Sequence, residues 1–126
     1  MTPLSLPVRG AAPGARWGAA VYTVYAVRSA GWRWRLTRRD GREIAVAPRP
    51  VPTADQARRD VFRVRLMAAT APVETCTDEH GHCRWRLRTP RGAMLAVSAA
   101  GHLGTVAVDR AITAFRYAAS HGELVD

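Results

Sequence analysis

From residue 20 onward the apolar positions change period in a fixed order. Val21–Val27 is dense in Val, Tyr and Thr, residues that suit a pleated, half-buried surface, and predicts a strand. Trp32–Leu36 reads Trp-Arg-Trp-Arg-Leu. That strict period of two makes one strand face apolar and the other cationic. Asp40-Gly41 is a two-residue hairpin signal of the type I′ kind, and Glu43–Ala47 returns as a third strand. The period then lengthens. Ala57, Val61, Val64 and Ala68 fall at i, i+4, i+7 and i+11 and predict a helix. Thr53, with Gln56 three residues on, matches a capping box at its start. A short extended stretch follows near Val73.

The same order recurs. A gapless shift of 51 residues lays Trp32–Val46 on Cys83–Val97, with Arg33/Arg84, Trp34/Trp85, Arg35/Arg86, Leu36/Leu87 and Gly41/Gly92 identical. Helix positions carry over as Val108, Ile112, Phe115 and Ala119, and Arg65 matches Arg116. In the second copy Arg91-Gly92 after Pro90 suits a type I turn followed by a left-handed glycine. Residues 20–70 and 71–126 therefore read as two repeats of one unit. The expected architecture is α+β: two tandem β-β-β-α-β repeats sharing one mostly antiparallel sheet, with both helices packed on one face. Residues 1–19, with three prolines, three glycines and no periodicity, read as a flexible N-terminal tail in which Trp17 is the one residue suited to tack it to the domain.

The Trp-Arg-Trp-Arg-Leu strand, the glycine turn, the apolar strand and the Ala-bearing helix resemble the YegP-like repeat (DUF1508, UPF0339). The similarity covers nearly all of residues 20–126. It implies one sheet built from both units, with terminal strands exchanged between them, and no established biochemical role. The chain departs from the family pattern at Asp40-Gly41 and Arg91-Gly92, where Asn-Gly is usual. It departs also at Ala47, which replaces a strand-end serine kept as Ser98, and at Val51 and His102, which replace a tyrosine.

Composition changes this picture in one respect. All 19 basic residues are arginine, against 10 acids, for a net charge of +9 and a pI near 11.3. Such a balance favours anionic partners. Arg, Ala, Gly, Pro and Val are enriched together, so coding composition explains much of the arginine. It does not explain the distribution: residues 20–70 hold 11 arginines against four acids, residues 71–126 six against six. With Trp34, Leu36, Trp85 and Leu87 facing the helices, Arg33, Arg35, Arg84 and Arg86 project from the opposite face. With Arg38 and Arg39 at the first hairpin they form the candidate anion-binding set.

Other constellations are weaker. Cys76, Asp78, His80, His82 and Cys83 crowd together, but neighbours His82 and Cys83 must face opposite ways on a strand, and paired C-x₂-C spacing is missing. Hairpin register decides whether Cys76 and Cys83 meet or diverge, and two free thiols are the expectation. Ser98, His102 and Asp109 supply triad residue types without a nucleophile-elbow motif. No phosphate-loop signature occurs. The expectation is a monomeric, cytoplasmic, non-enzymatic binding module with no metal, no cofactor and no membrane association. Its partner is an unidentified protein or a nucleic acid.

Overall fold

The computed structural model describes residues 20–125, so the expected tail at residues 1–19, Trp17 included, lies outside the described residues. Among the described residues seven strands and two helices follow in the order β1 (Val21–Val27), β2 (Gly31–Thr37), β3 (Glu43–Val46), α1 (Ala54–Met67), β4 (Val73–Thr77), β5 (Cys83–Arg88), β6 (Met94–Ser98), α2 (Thr105–His121) and β7 (Glu123–Val125). All strands join one sheet in the order β4-β5-β6-β3-β2-β1-β7. Every pairing is antiparallel except β1 with β7, so the sheet is mixed. The extended stretch after α1 and the first strand of residues 71–126 are one element, β4. That is why seven strands form and not eight.

The period-two reading of β2 and β5 holds in burial. Trp34, Leu36, Trp85 and Leu87 are buried and face α1 and α2, which meet them with Val61, Val64, Val108 and Phe115. Tyr22 packs edge-on to Trp34 with ring centroids 5.7 Å apart, and Trp85 lies 4.2 Å from Phe115. Burying aromatics of this size supplies a large share of the core's free energy. Tyr22 Oη donates to Ala119 O at 2.7 Å, which ties β1 to the last turn of α2. Burial pushes that phenol's pKa far above its ordinary value.

Helix ends are fixed by different means. Thr53 Oγ1 accepts from Gln56 N at 3.1 Å and caps α1. At the other end Arg116 Nη1 reaches from α2 to Ala68 O and Ala71 O, at 2.9 and 3.0 Å. A guanidinium there satisfies helix-end carbonyls and opposes the negative end of the dipole. α2 starts after Gly104 with no side-chain cap.

The first hairpin corrects one expectation. A type I′ turn at Asp40-Gly41 needs positive φ at both residues, yet Gly41 is at +89° and Asp40 is not in that region. Arg38 starts the turn instead: Gly41 N donates to Arg38 O at 2.9 Å and Arg38 N to Arg42 O at 2.8 Å. The same closure recurs at Asp78–Gly81 and Thr89–Gly92. Asp40 Oδ1 accepts from Arg42 N at 3.0 Å, so the aspartate braces the turn from its side chain.

Candidate anion-binding site

Cross-strand pairing defines the sheet face turned away from the helices. One row crosses all seven strands: Glu74, Arg86, Val97, Val46, Arg35, Thr23 and Val125. Arg35 and Arg86 thus stand three strands apart, about 14 Å at the usual strand spacing, with Val46 and Val97 between them. The four sheet arginines form two groups flanking an apolar strip, not one cluster.

Their partners differ between the groups. Arg84 Nε lies 3.5 Å from Asp78 Oδ2, and Arg86 Nη1 lies 3.8 Å from Glu74 Oε1, which also accepts from Arg88 Nε at 2.8 Å. The three β5 arginines thus share two carboxylates, Asp78 and Glu74, on β4 and its turn. On β2, Arg35 lies over the Tyr25 ring at 5.1 Å and reaches Glu43 only at 4.0 Å. Arg33 Nη2 donates to Ala47 O, while its Nε is buried with no hydrogen-bond partner. At the hairpin, Arg38 stands 3.6 Å from Asp40, and Arg39 and Arg42 extend into solvent.

The structure separates the other sequence constellations. In β4 and β5 Cys76 pairs with Arg84 and Thr77 with Cys83, so the two cysteines face opposite sides of the sheet and are free. Asp78 is occupied by its own turn, accepting from His80 N and His82 N at 2.9 Å each. Those bonds, His82 N first, hold its carboxyl below the usual aspartate range, with Arg84 assisting and burial opposing. Ser98 is buried, and its Oγ accepts from Trp85 N at 3.3 Å. His102 is joined to Cys83 through backbone bonds of 2.7 and 2.8 Å. No Ser-His contact forms among the described residues.

Sequence reading missed a cleft on the helix side of the sheet. It has a volume of about 1350 Å³ and opens between the β2–β3 turn, the β6–α2 connection and α2. Trp85, Ile44, Ala111, Ala114 and Ala118 floor it, and Arg39, Arg42 and Arg110 stand on its rim. The sequence carried half of this signal, in the run of small residues on α2. The turn that meets them is joined only by tertiary structure.

This architecture, a seven-stranded mixed sheet with two helices on one face, defines the α+β class of the chain. Its fold is that of the UPF0339 proteins. A UPF0339 protein from Shewanella oneidensis superposes with a TM-score of 0.75 at 13% identity, over 86% of this chain and 91% of its own. The E. coli protein yegP, of unknown function, superposes with a TM-score of 0.74 at 14% identity, over 86% and 92%. No family profile and no curated protein sequence matches the chain. No helix among the described residues is long and apolar enough to cross a membrane.

Proposed function

We propose that the chain is a YegP-like (UPF0339) member, built from tandem copies of one unit, that works in the cytoplasm as a monomeric, non-enzymatic binding module for a polyanion. Nucleic acid is the partner its chemistry fits best. The observation that carries this reading is the uneven neutralisation of arginine. The arginines of β5 are spent on Glu74 and Asp78, whereas Arg39 and Arg42 at the first turn have no carboxylate within ion-pair reach among the described residues. Arg35, 4.0 Å from Glu43, and Arg38, 3.6 Å from Asp40, have side chains 43% and 47% exposed and carry the basic surface onto the adjoining sheet face. The Arg33 guanidinium, hydrogen-bonded to Ala47 O, buttresses the face more than it meets the ligand. Phosphate contacts from such a surface give weak sequence preference and affinity that falls steeply with salt.

A gel-shift titration with single-stranded and duplex DNA at low salt tests this. Reversing Arg35, Arg38 and Arg39 to Glu abolishes the shift, while reversing Arg84 and Arg86 only weakens it. Absence of any shift at micromolar protein removes the nucleic-acid reading. A protein partner found by pull-down, and retained after nuclease, then replaces it.

A further inference from the structure

We infer that the cleft beside α2, which shares its arginine rim with the proposed polyanion surface, is a second binding site that takes an organic anion: a carboxylate or phosphate head on a compact apolar body. Two independent differences meet there. On α2 the floor is Ala111, Ala114 and Ala118, where the positions 51 residues earlier on α1 carry the longer Asp60, Arg63 and Met67. On the facing turn the rim is Arg38, Arg39 and Arg42, where the positions 51 residues later carry Thr89, Pro90 and Ala93. Small floor residues and basic rim residues thus coincide at one of two equivalent places in the chain, although they lie on different elements.

The chemistry of the lining selects the ligand. Trp85, Ile44 and the three alanines offer an apolar floor with few polar groups, as small-molecule sites do. The acids on the lining offset part of the rim but leave it basic, with Arg38, Arg39, Arg42 and Arg110 against Asp40, Glu43 and Asp109. Asp40 accepts from Arg42 N and lies near the Arg38 and Arg42 guanidiniums, Glu43 stands 4.0 Å from Arg35, and Asp109 is the chain neighbour of Arg110. Arg39, Arg42 and Arg110 remain as guanidiniums able to grip a planar or tetrahedral oxyanion. The volume of about 1350 Å³ has room for head and body together.

The test uses the ¹⁵N-labelled full chain and three probes sharing one ring system: 1-naphthyl phosphate, 1-naphthaleneacetate and neutral 1-naphthaleneacetamide. Both anions should shift the amide signals of Gly101, His102, Ala111 and Ala114, and the tighter of the two identifies the head. The amide should bind about fivefold or more weakly, the scale of one lost exposed ion pair. Ala114→Leu, at an exposed helix position, should abolish the shifts with the rest of the spectrum intact, and should leave any DNA gel shift unchanged. That separates failure here from failure of the polyanion reading. Arg42→Gln and Arg110→Gln should each weaken the anions about fivefold and leave the amide untouched. No shifts at millimolar anion, shifts confined to the opposite sheet face, or equal binding of anion and amide would overturn the inference.

Discussion

At the scale of single residues, two glycines reveal how tightly the chain crosses itself. Trp32 pairs with Val51, and Cys83 with His102, in isolated bridges at equivalent points. At the first crossing Gly31 has φ +114°, and a Cβ there would collide with the Val51 carbonyl. At the second the equivalent position is His82, and it is the facing Gly101 that would strike the His82 side chain. Each crossing thus has one glycine, on opposite sides of the contact. Gly31→Ala combines strained backbone with a backbone clash and should cost about 2–4 kcal/mol, read in urea melts. Gly41→Ala meets nothing within 4 Å and bears only the cost of its positive φ, so it should cost less. The second comparison concerns β2. Trp34→Ala should cost about 3–5 kcal/mol, as truncation of a buried aromatic does. Arg33→Ala should cost less, since Arg33 is only half-buried whereas the Trp34 ring is fully buried in the core, and each change removes one buried N–H that has no partner. Equal losses at the two positions would show that the arginine packs as core.

At the scale of elements, what the sequence revealed follows from how local each signal is. Alternation in Trp32–Leu36 is a property of consecutive residues, and it placed Trp34 and Leu36 inside without any tertiary knowledge. Helix periodicity did the same for Val61, Val64 and Phe115. Register was not legible, because the separation of Cys76 and Cys83 depends on a turn that starts at Asp78, and two registers fit the letters equally. The arginine set was legible as a face but not as a charge balance, since Glu74 meets Arg86 and Arg88 only through β4–β5 pairing. The cleft was illegible for the same reason, its two walls lying some 70 residues apart. One element carries a pH prediction. The Asp78 carboxyl pKa is depressed in the fold by backbone donors. A depressed carboxyl contributes stability above the unfolded pKa of about 3.9 and loses it as pH falls through the folded value. The β4–β5 turn should therefore loosen below about pH 4, seen as a fall in the amide protection of His80 and His82 relative to their intrinsic exchange rates. Asp78→Asn should reduce that acid dependence, and an unchanged pH profile in the variant would deny Asp78 the role.

At the scale of the whole molecule, the two halves share what each lacks. Residues 20–70 supply β1, β2, β3 and α1, but the first edge of their sheet is covered by β7 and the other by β6, both from the second half. The end of α1 is held by Arg116, and the β1 phenol of Tyr22 by Ala119, again from the second half. Without these, residues 20–70 would expose two open strand edges and one side of a helix layer. A unit of this size also buries too small a share of its surface to be secure alone. Unpaired edges of that kind recruit other strands. Charge works in the same direction, since this half holds 11 arginines against four acids and repels itself more than the intact chain does. Isolated residues 20–70 should accordingly be unfolded at low concentration, or dimerise so that a second copy covers its edges. Light scattering coupled to size exclusion gives the mass, and amide dispersion in an NMR spectrum gives the fold. A stable, well-dispersed monomer from that fragment would refute the dependence of one half on the other.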